Sequence, residues 1–265
     1  MTIRHLYPAV EPSLNLDFAN SKKLDSRITF TRGSTATYTD ESGIIRTAAQ
    51  DEARFDHDSD GNSLGLLIEE SRTNVVLNSG DISQAAAFTS GNETITANAA
   101  VAPDGTTTAT SVVPNSGATY TYLYGIASPT NPVSASVFLK ANGWNYAGLW
   151  MNNYDGSSDA RLVVDLTDGS IISSVNAGWY EVKPCGNGWY RIALKSSNGN
   201  DGTLNIQLFN SSGGITLPAM NGTDGIYCWG LQTETGEFAT SYIPTTSSTV
   251  TRSADVASMT GTNFS

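Results

Sequence analysis

The sequence predicts an all-β protein: an antiparallel two-sheet jelly-roll sandwich preceded by a hairpin-rich N-terminal segment. Three observations lead there. The 265 residues include 25 glycines and only 15% charged residues, a balance that suits short strands and many turns rather than helices. Turn dipeptides recur along the chain, at Asp104-Gly105, Asp155-Gly156, Asp168-Gly169, Asn187-Gly188 and Asp201-Gly202, and they separate runs of strand length. The third observation is the stretch 184–195, where Asn187-Gly188 leads into an alternating run. There Trp189, Arg191, Ala193 and Lys195 share one face, and Tyr190, Ile192 and Leu194 take the other. A turn feeding a period-two strand is the strongest short-range sign of β structure.

Charge divides the chain near residue 78. Residues 1–78 hold 8 of the 14 Lys+Arg and 12 of the 25 Asp+Glu, and the remaining 187 residues hold the rest. A shift of this size suggests two units with different surroundings. In the first unit, residues 14–18, 28–32, 36–38, 44–46, 54–56, 64–69 and 72–77 read as short strands, with turns at 40–43 and 58–62. These pieces are too short for a core of their own. Residues 1–78 are therefore expected to form hairpins and arms for anchoring or assembly, laid on a larger body or a partner.

Residues 79–244 carry the sandwich. A short helix is expected at 83–88, with Asp81 as its cap. Strands are expected at 94–97, 107–113, 120–126, 133–140, 147–151, 161–165, 171–175, 179–183, 189–195, 203–208 and 226–231. The run Val133-Ser134-Ala135-Ser136-Val137-Phe138-Leu139 alternates least, and reads as a central strand buried on both faces. Residues 245–265, rich in Thr and Ser after Pro244, lose the hydrophobic pattern and read as an extended C-terminal arm or linker.

Composition also excludes function classes. A net charge of −11 offers nothing to neutralise phosphates, so nucleic acid is not an expected partner. No segment approaches the roughly 20 apolar residues of a membrane span, and the N-terminus lacks the apolar run of a signal peptide, so the chain is expected to be made in the cytoplasm. Cys185 and Cys228 are read as buried free thiols, since a count of two is weak evidence for a disulfide.

Catalytic machinery is not visible. His5 and His57 are the two histidines, and neither stands in a pattern that builds a nucleophilic triad. Most acids fall in turns, where they cap amides; Asp165 and Glu181 are the strand acids that a hydrolase would use. Asp56-His57-Asp58-Ser59-Asp60-Gly61 imitates the first half of a calcium loop, but Leu67 stands where the closing Glu belongs, so a polar hairpin turn is expected. No catalytic, cofactor or metal residue is assigned. Aromatics are the remaining candidates. Tyr120, Tyr122 and Tyr124 alternate onto one face, and Trp144, Tyr146 and Trp150 lie in or beside one hairpin rich in Asn. Flat rings stack on the C–H faces of sugars while amides supply hydrogen bonds, so these six are the candidate carbohydrate-binding residues. Trp189 and Trp229 are expected in the core.

Several phrases together resemble a family of bacteriophage virion proteins, the fibre, spike and head-decoration type with a carbohydrate-binding-module-like β-sandwich. They are residues 28–38, residues 54–58 followed by 64–74, residues 104–110, the Gly186-Asn187-Gly188-Trp189-Tyr190-Arg191 phrase, and residues 229–232 through 241–245. They stand in the family's order and span most of 14–257. The resemblance implies a non-enzymatic virion structural protein, a fibre, spike or capsid decoration. Its partners would be other virion proteins of capsid or tail, and a host surface polysaccharide, with a homotrimer as the usual assembly. Such sandwiches often hold a structural calcium; no residues here are assigned to that ion. The alternative is a carbohydrate-binding module of a larger polysaccharide-degrading enzyme.

Overall fold

A computed structural model describes residues 14, 16–84, 89–124, 133–152, 159–196 and 203–261. A helical turn, α1 (Phe18–Ser21), precedes six short strands: β1 (Thr29–Thr31), β2 (Ala36–Thr39), β3 (Ile45–Ala48), β4 (Arg54–His57), β5 (Ser63–Leu67) and β6 (Arg72–Asn74). The sandwich follows as β7 (Thr89–Gly91), β8 (Glu93–Ala100), β9 (Ala109–Pro114), β10 (Tyr122–Tyr124), β11 (Val133–Asn142) and β12 (Tyr146–Asn152). It continues through β13 (Ala160–Asp165), β14 (Ile171–Val175), β15 (Ala177–Pro184), β16 (Trp189–Ser196), β17 (Thr203–Leu208) and β18 (Gly225–Thr235). Two short strands, β19 (Val250–Arg252) and β20 (Val256–Ser258), lie in the tail.

The twelve strands β7 to β18 form two antiparallel six-stranded sheets, ordered β14-β13-β12-β17-β10-β7 and β15-β16-β11-β18-β9-β8. Period-two alternation decides which side chains meet between them. Ala147, Leu149, Met151, Leu162, Val164, Leu204, Ile206 and Leu208 come from the first sheet. Val133, Ala135, Val137, Leu139, Ile192, Leu194 and Ile226 come from the second, and together they make one buried cluster. Each Val, Leu, Ile or Met side chain among them contributes about 1.5–3 kcal/mol by leaving water. The expected all-β sandwich is what the chain forms. In the turn before β16, Trp189 N donates to Gly186 O at 2.9 Å, with Asn187 and Gly188 at φ 51° and 77°, where glycine carries no Cβ penalty.

The outer face of the second sheet is buried as well. Phe138, Trp189, Trp229 and Tyr242 cluster there with Ala102 and Ala109. Trp229 and Tyr242 have ring centres 4.7 Å apart, and Phe138 meets Trp229 edge-on at 5.4 Å. Both indole N–H groups are engaged, Trp189 with Val101 O at 3.1 Å and Trp229 with Thr108 Oγ1 at 3.0 Å. Trp189 and Trp229 are therefore packing residues, and β11 is buried on both faces across 133–139 as expected.

The N-terminal strands and the tail interlock beside this layer. β1 pairs with β20, β6 with β19, β2 with β3, and β4 with β5. Charge closes the junction: Arg32, Arg54 and Arg252, all essentially without exposure, meet Asp255 and Glu69. Glu69 also accepts from Ser241 N at 2.7 Å and Ser241 Oγ at 2.6 Å. Part of the charge that sets residues 1–78 apart is thus internal.

Local expectations differ from the structure in a few places. Residues 14–18 read as a strand, yet a helical turn starts at Phe18, because Asp17 Oδ1 caps it by accepting from Asn20 N at 3.3 Å and Asn20 Nδ2 at 2.7 Å. The helix expected at 83–88 is, in its described part, a 3-10 turn at Ile82–Gln84, where Asp81 accepts from Ser83 N and Oγ. Residues 85–88 lie outside the described residues, as do 125–126 of the expected 120–126 strand and the turns at 155–156 and 201–202. Strand β7 was not expected. Cys185 and Cys228 are free, Cys228 fully buried and Cys185 partly so. No described helix is long and apolar enough to cross a membrane.

Candidate functional site

The outer face of the first sheet carries the site. Because Ala147, Leu149 and Met151 point into the core, Tyr146, Trp150 and Asn152 come to the opposite face of β12. Register then sets Trp150 opposite Arg161 on β13 and Asn205 on β17, while Arg161 faces Val175 and Asn205 faces Tyr124 in backbone pairing. One row thus crosses five strands. The Arg161 guanidinium lies 5.8 Å from the Trp150 ring centre and 5.8 Å from that of Phe209, a cation held between aromatic groups.

Exposure is uneven over this face. Val163, Asn205, Gln207 and Phe209 are buried, whereas Trp150, Asn152 and Arg161 are partly open. Asn205 Nδ2 donates to Trp150 O at 3.2 Å, and Gln207 Nε2 donates to Thr121 O, so these amides tie strands together. Trp150 Nε1, Asn152 Oδ1 and Arg161 Nε are buried atoms without a hydrogen-bond partner among the described residues. Unpaired buried polar atoms are costly, about 1–3 kcal/mol each, and three in one patch mark where a ligand or water belongs.

The other candidate aromatics take different positions. Trp144 packs against the sandwich core, its Nε1 donates to Phe209 O at 2.9 Å, and its ring meets Tyr146 edge-on at 6.2 Å. Tyr120 and Tyr122 stack at 6.3 Å with planes 15° apart, and Tyr120 is 52% exposed. The Tyr122 ring lies over Gly91, where a Cβ would overlap it. Tyr124 pairs through its backbone with Thr89 and Asn205, and its side chain lies outside the described residues. The structure therefore brings Trp150 together with Arg161 and Asn152, and places the Tyr120/Tyr122 pair at the β7 end of the same sheet. At that end Glu93 Oε1 accepts from Gly91 N at 3.2 Å, while Oε2 is buried and has no hydrogen-bond partner among the described residues. Burial pushes this carboxyl up to about 7, against the backbone amides of Gly91 and Tyr122 that pull it down. Sequence reading missed Arg161 and Glu93. The alternation Arg161-Leu162-Val163-Val164 signals Arg161's face, but only the β12–β13 register sets it beside Trp150.

A concavity of about 310 Å³ lies between the N-terminal hairpins and the second sheet, lined among others by Tyr38, Asp56, His57, Lys183, Cys185 and Arg191. His57 Nδ1 is 3.1 Å from Thr39 O, so that nitrogen carries the proton, and Nε2 has no partner among the described residues. Burial raises Asp56 above the ordinary carboxylate range and pushes the Cys185 thiol up to about 11. A thiol held protonated is a poor nucleophile. The calcium-like stretch forms a turn in which Asp58 accepts from Asp60 N, Asn62 N and Asn62 Nδ2 at 2.9–3.0 Å. Among the described residues, no group of three or more His, Cys, Asp or Glu is placed to hold a metal. Asp165 caps its own turn through Thr167 N and Oγ1, and Glu181 meets Lys183 at 3.2 Å on the other sheet, so these two acids do not face one substrate.

No protein-family model and no curated protein matches the chain. Solved structures with a similar arrangement include two family 29 carbohydrate-binding modules. One is 13% identical and has a TM-score of 0.39, covering 63% of this chain and 93% of that one. The other is 12% identical with a TM-score of 0.37, covering 63% and 91%. A third is the CBM22-1–GH10 portion of Clostridium thermocellum endo-1,4-β-D-xylanase 10B complexed with xylohexaose. It is 16% identical with a TM-score of 0.32, covering 62% of this chain and 28% of that one. Likenesses this loose carry no functional argument. The fold rests on the strand pairing itself.

Proposed function

We propose that the protein is a non-enzymatic glycan-binding sandwich displayed on a bacteriophage particle, as a fibre, spike or capsid-decoration subunit. The observation that supports glycan binding is the patch at Trp150: a half-buried indole beside three unpaired polar atoms, those of Trp150, Asn152 and Arg161. A sugar ring offers a C–H face to the indole and hydroxyls to the polar atoms. Tyr120 and Tyr122 extend the face toward β7. The ordered sequence phrases support the virion part of the reading, together with a homotrimer, in which weak single-site contacts add through effective concentration.

Titration of the purified chain against a polysaccharide panel tests the glycan part. Trp150→Ala is expected to weaken binding about ten- to a hundredfold, the range for losing a stacked aromatic and its hydrogen bond. A blank panel, or a Trp150→Ala chain that binds as well as the parent, overturns it. Cryo-EM of purified particles tests the virion part, which fails if no copy of this sandwich is found on the particle. A catalytic domain encoded in the same reading frame beyond Ser265 would instead support a module of a polysaccharide-degrading enzyme.

A further inference from the structure

We infer that the glycan bound at this patch is acidic, with Arg161 recognising a carboxylate on a sugar residue; this rests on the glycan reading above. The first argument is charge. Six of the eight described arginines, Arg27, Arg32, Arg46, Arg54, Arg72 and Arg252, stand in ion pairs. Arg191 donates through Nη2 to Ser136 Oγ and Thr240 O. Among the described arginines, Arg161 alone has a side chain with neither an ion pair nor a hydrogen bond to the described residues, in a chain of net charge −11. A partly buried cation with no counter-charge is unfavourable on its own, and an anion supplied from outside removes that cost.

The second argument is the kind of hydrogen bond left open. Arg161 Nε and Trp150 Nε1 are both donors only, both buried, both unpaired, and they sit on directly opposed residues of β12 and β13. Two neighbouring donors beside a positive charge call for a two-oxygen acceptor, and a planar carboxylate matches the guanidinium edge. Asn152 Oδ1, unpaired two residues along β12, is left to accept from a hydroxyl of the same sugar. The rings of Trp150 and Phe209 flank the guanidinium, each with its centre 5.8 Å away. A uronic acid residue carries this combination: a C–H face, hydroxyls and one carboxylate. The protein's overall negative charge disfavours polyanions at long range, so capture depends on this discrete contact and not on a general field.

The test uses the unmodified chain first. Calorimetric titration with alginate, hyaluronan and polygalacturonate is compared with methyl-esterified polygalacturonate, which keeps the backbone and loses the charge, and with neutral xylan and glucomannan. Binding to at least one uronate polymer is expected; where polygalacturonate is bound, esterification should weaken it tenfold or more. The bound uronate should weaken as salt rises from 0.05 to 0.5 M, and duplex DNA, a polyanion without sugar carboxylates, should not bind. In Arg161→Gln, the ratio of uronate to neutral-polymer affinity should collapse toward one, with the melting temperature recorded to confirm folding. Binding confined to neutral polymers, equal binding of the ester and the acid, or an Arg161→Gln chain with unchanged preference overturns the acidic reading while leaving glycan binding in place. No binding to any polymer removes both.

Discussion

Replacing Asp255 with alanine removes the counter-charge shared by two arginines. Asp255 has a fully covered side chain whose Oδ1 meets Arg32 Nη1 at 3.0 Å; Oδ2 meets Arg54 Nη2 and accepts from Glu69 N at 2.9 Å. Both arginine side chains are fully buried too. Arg54 keeps Glu69 at 2.9 Å when Asp255 is lost, but Arg32 is left with only the carbonyls of Ser34 and Ala49. Removing one partner of a buried ion pair costs about 3–5 kcal/mol, because the other charge stays buried. With one arginine fully stranded and the other half-compensated, about 4 kcal/mol is expected. At roughly 2–4 °C per kcal/mol for a chain of this size, the melting temperature falls by about 8–16 °C. Calorimetry and urea titration at pH 7 measure it. A loss under about 1 kcal/mol, the range of exposed pairs, would refute the idea that this cluster holds the tail to the N-terminal strands. The control is Lys22→Ala, which breaks a 3.0 Å pair with side chains 40% and 72% exposed and should leave melting unchanged.

Two further outcomes follow from buried titratable groups. Glu93, pushed up to about 7 by burial, keeps its proton in the folded chain while the unfolded chain, with a carboxyl near 4.5, releases it. The stability it contributes is full below pH 4.5 and lost as pH rises through about 7. Urea midpoints of Glu93→Gln and parent should therefore diverge as pH rises from 4.5 to 8, the variant gaining; a gap independent of pH contradicts the assignment. Cys185, with its thiol pushed up to about 11, and Cys228, fully buried and shifted further upward, should react with a disulfide reagent at pH 7.5 far more slowly than a free thiol. The expected rate for Cys185 is about a hundredfold lower, from its smaller thiolate fraction, and Cys228 should react only on unfolding. Rapid labelling of folded protein would show that Cys185 is not held as described.

What the sequence revealed follows the range of the forces involved. β16 and β17 were legible almost residue for residue, because alternation and a neighbouring turn are local signals. β11 was legible as doubly buried since its apolar run lacks a polar side. α1 was misread because one capping hydrogen bond, donated by Asn20 N to Asp17 Oδ1, outweighs a weak alternation. Trp150 could be singled out by type, but its neighbours Arg161 and Asn205 arrive through register, from opposite sides, at separations of 11 and 55 residues. The charge of residues 1–78 was read as the mark of a unit with different surroundings. Nothing local tells that Arg32 will meet Asp255.

That last contact has a consequence for the order of events during synthesis. Arg32 leaves the ribosome 223 residues before its carboxylate, which at roughly 5–20 residues per second is a delay of about 10–45 s. Through that interval β1 and β6 have no partner strands, since β20 and β19 come last. The sandwich strands can pair in the meantime, and contacts of such long separation bear the largest loop-closure cost. Arg32 is thus the last of the N-terminal arginines to be neutralised, and a chain cut short before Asp255 would carry it unpaired while Arg54 keeps Glu69.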